Sequence, residues 1–376
     1  MSAPRLADGK RLIVKIGSAL LVDDETGTIR RAWLDALADD VAACRAAGQE
    51  VVIVTSGAIA AGRRHLGLTG RRIRLEEKQA AAATGQIILA HAYAETFVRH
   101  GTTVAQILLT PDDTEERRRH LNARATLETL LRLKAIPVVN ENDSVATAEI
   151  RFGDNDRLAA RVAQMTTADT LVLLSDIDGL YTDDPRQNPN AQHVPVVTQL
   201  TAEIEAMAGE APSGYSSGGM VTKLAAARIA LGAGCRMVIA EGRKAHPLAA
   251  IAAGARSTWF LPAAGPRAAR KRWIAGSLQP SGAIVVDAGA ARALVQGRSL
   301  LPAGVVAVEG SFERGDPVIV RDIDGREIAR GLAAYGSGDA ARIRGHKSDE
   351  IATVLGYRGR EEMIHRDDLV LAEEVS

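Results

Sequence analysis

Two lysines stand where apolar runs give way to glycine. Lys15 closes the run "RLIVKIG" (11–17), with Gly17 two residues on. Lys223 lies on the first turns of a helical pattern that follows Gly218-Gly219 in "SGGMVTKLAAARIALGAG" (217–234). An ammonium inside an apolar run is costly unless it meets an anion. Glycine lets a backbone approach a phosphate, and the N–H groups opening a helix favour negative charge. Thr55-Ser56-Gly57-Ala58 is a second small loop leading into a helical pattern. A third group is the polar stretch "NENDSVATAEIRFGDNDRLAARVA" (140–163). There Asn142 and Asp143 follow a strand-like run, and Asp154, Asn155 and Asp156 open a helix-like one. Carboxylates and amides there suit an ammonium group, and Asn155 can donate to a carboxylate. A fourth group is Ser175-Asp176-Ile177-Asp178-Gly179. Each group alone has an ordinary reading: an edge lysine reaching solvent, a helix N-cap, a glycine turn. Together they imply an anionic ligand held beside a polar small molecule, the requirement of phosphoryl transfer. The Walker A spacing G-x-x-x-x-G-K-[ST] is absent from the chain.

The elements needed to position these residues are legible. Short apolar runs at 11–17, 50–57, 103–109, 136–142, 170–176 and 235–242 end at glycine, polar or leucine positions. Between them lie helical patterns at 31–47, 76–99, 114–134, 155–165 and 219–232. Apolar strands alternating with helices predict an α/β fold, a mostly parallel sheet covered on both faces. In such sheets ligands bind beyond the carboxyl ends of the strands, where the candidate residues fall.

Near residue 262 the pattern changes. "PAAGPRAARKRW" (262–273) reads as the start of a linker over 263–280, closing a first domain of 1–262. Residues 281–360 are turn-rich, with Asp324-Gly325 as a hairpin signal, and predict a small, mainly β, barrel-like domain. The acidic stretch 361–376 reads as a loose tail.

The chain has 376 residues, is 46% hydrophobic and carries 46 basic and 46 acidic side chains, a net charge of zero. That balance gives no general case for nucleic acid or membrane surfaces. Two cysteines form no disulfide framework, and no apolar run reaches about 18 residues. A cytoplasmic protein is the expectation.

The sequence resembles the amino acid kinase family, in its glutamate 5-kinase branch. The residues that carry this are "VKIGSALL" (14–21), "VTSGAIAAGR" (54–63), "LNARATL" (121–127), "PVVNENDSVATAEIRFGDND" (137–156), "LLSDIDGLYTDDPR" (173–186) and "GGMVTKLAAA" (218–227). Residues 281–360 resemble a PUA domain. The resemblance implies a three-layer α/β/α sandwich and ATP-dependent phosphorylation of the L-glutamate side-chain carboxylate, the first step towards proline. It implies that Lys15 and Lys223 bind the transferring phosphoryl group and that Asp156 holds both lysines. It places glutamate at Ser56, Gly57, Ala58, Asp143 and Asn155. It places ATP at Lys15, Gly17, Ser175, Asp176, Ser217, Gly218, Gly219, Met220 and Lys223, with Mg²⁺ on the ATP phosphates and no dedicated protein ligands. Proline as feedback inhibitor, a homodimer or homotetramer and a glutamyl-phosphate reductase partner are implied as well. Ser216-Ser217 depart from the Gly-Thr common before Gly-Gly-Met in this family. The alternatives are another kinase of the same fold, acting on acetylglutamate, aspartate or a nucleotide, and RNA binding through the PUA domain. Residues 281–376 hold 12 basic and 16 acidic side chains, a net of −4, which argues against a phosphate-binding surface.

Overall fold

The computed structural model describes residues 4–23, 25–68, 73–145, 155–209, 219–276 and 279–372. The chain forms two compact units, Met1–Pro266 and Arg267–Ser376.

In the first unit the apolar runs become β1 (Arg11–Ile16), β2 (Glu50–Val54), β3 (Val104–Leu109), β4 (Ile136–Glu141) and β5 (Thr170–Ser175). A short ribbon of β6 (Leu180–Tyr181) and β7 (His193–Val194) follows, then β8 (Val196–Val197), β9 (Arg236–Glu241) and β10 (Ser257–Phe260). Eight of these strands form one sheet in the order β3-β4-β2-β1-β5-β9-β10-β8. From β3 to β9 every pairing is parallel; β10 runs antiparallel to β9.

Strand alternation divides the core between the two faces. Leu12, Val14 and Ile16 of β1 join Leu34, Leu37, Leu89, Phe97 and Leu248 from the helices Arg31–Ala46, Leu75–Val98 and Pro247–Ala252. Ile13 joins Leu127, Val162, Leu224 and Ala227 on the opposite face, from the helices Arg117–Arg132, Asn155–Met165 and Met220–Gly232. The fold is thus a three-layer α/β/α sandwich. Lys15 shares the parity of Ile13, so it points to the face where the Asn155 and Met220 helices begin. β1 lies between β2 and β5, and the connections diverge to either side of it, which opens a crevice at its carboxyl end.

The second unit has a five-stranded sheet ordered β12-β11-β13-β14-β15: β11 (Gly282–Val286), β12 (Val305–Gly310), β13 (Pro317–Arg321), β14 (Glu327–Leu332) and β15 (Leu369–Leu371). Ile284, Val318, Val320, Ile343 and Ile364 are in its own core. The hairpin at Asp324-Gly325 forms, with Gly325 at φ 83° between antiparallel β13 and β14. Two sequence expectations change here. The linker residues contain a helix, Pro266–Gly276: Pro266 stands at a helix start, where its missing N–H costs nothing. The tail is not loose through its first half. Met363 and Ile364 are buried, and Leu369–Leu371 pairs with β14. The acidic residues of that stretch alternate with apolar anchors, and the most buried of them, Asp368, pairs with Arg270 at 3.1 Å.

Candidate active site

At the carboxyl end of β1, the Nζ of Lys15 lies 2.8 Å from Oδ1 of Asp156. The Nζ of Lys223 donates to the other oxygen, Oδ2, at 3.2 Å. The three side chains come from β1 and from the first turns of two helices, and all are buried: Lys15 is 7% exposed, Asp156 2% and Lys223 5%. Burial alone would raise the Asp156 carboxyl. The two ammonium groups, with hydrogen bonds from Lys15 and Thr222, outweigh it and hold the group far below the usual carboxylate range. One carboxylate therefore fixes two cations at the carboxyl end of β1.

Gly17 follows β1 with an ordinary φ of −70°. A Cβ there would make only ordinary contact, 3.8 Å from the Leu174 carbonyl oxygen and 4.0 Å from the Lys15 Nζ, so neither its φ nor its surroundings require glycine. Gly57 is different. Its φ of 99° lies in the left-handed region, and a Cβ would meet Val22 Cγ2 at 2.8 Å. That turn releases the chain from β2 into the helix Ala58–His65, so the N–H groups at its start face the carboxyl ends of the strands. This helix crosses Leu75–Val98 at backbone contact. A Cβ on Gly62 would sit 1.9 Å from the Ala81 carbonyl oxygen, and one on Gly85 would sit 1.8 Å from that of Ala58.

A buried amide chain links these elements. The Nδ2 of Asn155 donates to the Thr55 carbonyl at 2.8 Å, and lies 2.9 Å from Ser56 Oγ and 3.1 Å from Asn140 Oδ1. Asn140 in turn donates to Gln86 Oε1 at 2.7 Å. Tyr93 donates to Thr55 Oγ1 at 2.8 Å. A backbone carbonyl only accepts, so the Asn155 atom facing Thr55 is the nitrogen. This corrects the expectation that Asn155 donates to a carboxylate. Its donors are engaged by the protein, and among the described residues its Oδ1, a buried acceptor, has no partner.

Asp143 follows β4, buried, and among the described residues its Oδ1 has no hydrogen-bond partner. Burial, and then the charge of Glu141, push its carboxyl up to about 7. It lines a cavity of about 250 Å³ with Ala58, Gln86, Glu141, Asn142 and Ser144 among others.

Beyond β5, Ser175 donates to Asp176 Oδ1 at 3.1 Å, and Arg243 lies 3.7 Å from the other oxygen. Gly219 caps the helix Met220–Gly232, and its carbonyl accepts from Thr222 Oγ1 at 2.9 Å. Met220 packs on the core of that face. Ser217, Gly218, Asp154 and the Ser216-Ser217 departure lie outside the described residues. The structure thus brings Lys15, Asp156 and Lys223 together, and separately Ser56 with Asn155. Sequence reasoning missed Thr222, Tyr93 and Gln86, and took in Thr55 and Asn140 only as members of a loop and a polar stretch, without a role of their own. Thr222 Oγ1 also lies 3.0 Å from Asp156 Oδ2, so its single O–H is shared between that carboxylate and the Gly219 carbonyl. Gln86 was visible as the lone amide in the apolar stretch "AAAATGQIILA" (80–90).

The profile of the amino acid kinase family matches residues 10–241, and that of the PUA domain matches residues 282–355. The chain is 66% identical to "Glutamate 5-kinase" of Paramagnetospirillum magneticum, over 97% of this chain and 99% of that one. It is 60% identical to "Glutamate 5-kinase" of Gluconobacter oxydans, over 98% of each. Among solved structures, the UMP kinase from Ureaplasma parvum aligns with a TM-score of 0.47 and 16% identity, over 67% of this chain and 98% of that one. With the family profile spanning both lysines' strands and helices up to β9, and identity extending over the full length of these relatives, the chain belongs to the amino acid kinase family and carries a PUA domain behind its kinase unit.

Proposed function

We propose that this protein transfers the γ-phosphoryl group of ATP to the side-chain carboxylate of L-glutamate, giving L-glutamyl 5-phosphate, the first step of proline biosynthesis. The observation that carries this reading is the carboxylate of Asp156 clamping Lys15 and Lys223. The names and coverage of the relatives supply the substrate.

The chemistry follows from charge. The acceptor carboxylate is already ionised at neutral pH, so no base is needed to create the nucleophile. Asp156 is suited to orientation, since a carboxylate held so far below its usual range takes no proton at neutral pH. The obstacle is repulsion between the substrate carboxylate and the γ-phosphate. Two fixed ammonium groups lower it, and they do so most when charge accumulates on the transferring group. The N–H groups opening Ala58–His65 suit the acceptor carboxylate. The unpartnered oxygens of Asp143 and Asn155 suit the α-ammonium of free glutamate. An N-acetylated substrate lacks that cation and would leave both acceptors unpaired.

ATP is the phosphoryl donor, placed by Lys15, Gly17, Ser175, Asp176, Ser217, Gly218, Gly219, Met220 and Lys223. Mg²⁺ belongs to the same proposal, as a partner of the ATP phosphates. When bound, it would neutralise phosphate charge. Among the described residues no helix is long and apolar enough to cross a membrane, and both cysteines are free, in keeping with work in the cytoplasm. Proline as a feedback inhibitor, a homodimer or homotetramer, and a reductase that takes the labile acyl phosphate are part of the same proposal.

The test is ADP release with Mg-ATP and L-glutamate, N-acetylglutamate, aspartate or UMP, with hydroxylamine to trap acyl phosphate. Glutamate-dependent ADP release with hydroxamate formation is expected. Turnover confined to another of the four would overturn the substrate assignment.

A further inference from the structure

The polarity of the buried amide chain is fixed from both ends by backbone groups. The N–H of Glu141 donates to Asn140 at 2.9 Å, so that atom of Asn140 is Oδ1. The other end of Asn140 is then the NH₂, and the Gln86 atom it meets at 2.7 Å is Oε1. By elimination the remaining end of the Gln86 side chain is its NH₂, with two donors. Gln86 is buried, and it lines the same cavity as the unpartnered Asp143 carboxylate. The cavity therefore carries opposite hydrogen-bonding characters: acceptors from Asp143, and donors from Gln86. An α-amino acid presents the complementary pair on one carbon, an ammonium and a carboxylate.

We infer that Gln86 is a specificity-determining residue whose Nε2 donates to the α-carboxylate of the amino-acid substrate, while Asp143 accepts its α-ammonium. This rests on the glutamate reading above and deepens it. The backbone crossing at Gly62 and Gly85 is what brings Gln86 into place, since Gly85 precedes it on the helix pressed against Ala58. The same amide also holds Asn140, so simple loss of activity in a Gln86 variant would not separate binding from positioning.

The experiment therefore pairs the side chain with the substrate group it is assigned to. Wild type and Gln86→Met are each assayed with L-glutamate and with 4-aminobutyrate, which keeps the ammonium and the reacting carboxylate but lacks the α-carboxylate. Methionine is close to glutamine in volume, so packing is largely kept. In wild type, removal of the α-carboxylate should lower kcat/KM steeply. In Gln86→Met the same removal should cost at least tenfold less, because the donor it served is already gone. A second variant, Gln86→Glu, turns the donor end into an acceptor. It should shift preference from glutamate towards glutamic acid α-amide by about tenfold or more, with the loss on glutamate seen in KM before kcat. Equal costs of α-carboxylate removal in wild type and Gln86→Met, or an unchanged preference in Gln86→Glu, would overturn the assignment and leave Gln86 as a support for Asn140. If wild type fails to turn over glutamate, the proposed function falls, and this assignment with it.

Discussion

Replacing Asp156 by asparagine keeps the shape of the clamp and removes its charge. Lys15 and Lys223 would then face each other without the carboxylate that now lies 2.8 and 3.2 Å from their Nζ atoms. Two ammonium groups left together in one buried site repel by about 2–4 kcal/mol at an effective dielectric of about 20. Breaking a buried pair by removing one partner costs about 3–5 kcal/mol in measured cases, which agrees. The variant should lose about 3 kcal/mol of stability without nucleotide. Mg-ATP brings negative charge to the same lysines, so it should recover part of that loss. Nucleotide should raise the melting temperature more in Asp156→Asn than in wild type. Turnover should fall by about 10² or more, since misplacing cations worth about 3 kcal/mol in the transition state costs that factor. Melting curves with and without Mg-ATP, and kcat with saturating glutamate, test this. A variant with wild-type melting and turnover would refute the clamp. An equal melting loss with and without nucleotide would show Asp156 to be a packing residue instead. The sign of the acid response is also set. The folded Asp156 carboxyl lies below its unfolded value, about 4, so the stability it contributes is present above that pH. It is lost as pH falls through the lower folded value, and Asp156→Asn should lack that strongly acid transition.

Lys223→Ala should depress kcat far more than it changes glutamate KM; unchanged turnover would remove Lys223 from the chemistry. Asp143 has a folded value of about 7 in the free protein, and an ammonium ligand favours its ionised form. Apparent glutamate affinity should therefore weaken by up to about tenfold per pH unit below 7, and Asp143→Asn should bind weakly with that slope gone; a KM-against-pH series reads both. Gly85→Ala places a methyl 1.8 Å from the Ala58 carbonyl oxygen and should cost about 3 kcal/mol or more, whereas Gly232→Ala, with nothing within 4 Å, should be neutral or slightly stabilising in denaturant titrations.

The parallel strands were legible because each is an apolar run with a polar break, and burial on both faces leaves no alternation to confuse it. Lys15 and Asp156 were legible as charges at such breaks. What the sequence did not show is pairing between distant elements. Nothing near Thr222 signals that its hydroxyl reaches Asp156, 66 residues away. The same holds for Gln86, which meets Asn140 only because two helices touch at glycine. Nor did the sequence show that the Asn155 donors are taken up by Thr55 and Asn140, since which end of an amide is free depends on partners from other strands. The helix at Pro266–Gly276 was taken for linker because its proline and basic residues read as breaks; a proline at the first helical position is no break. The apolar pairs Met363-Ile364 and Leu369-Val370 were short enough to be hidden among acidic neighbours.

The position of β1 has a consequence for how the chain is made. This strand is synthesised well before β5, its neighbour on one side, which begins at Thr170. At about 5–20 residues per second, β1 waits about 10–30 s with that edge open before its partner exists. β2 arrives early and can cover the other edge, but the second stays exposed while most of the unit is synthesised. A chain stopped before residue 175 would present an apolar strand edge and half a lysine clamp. Such fragments should be inactive and prone to aggregate, and synthesis of this enzyme should depend on chaperones that shield the open edge of β1 until its late partner arrives.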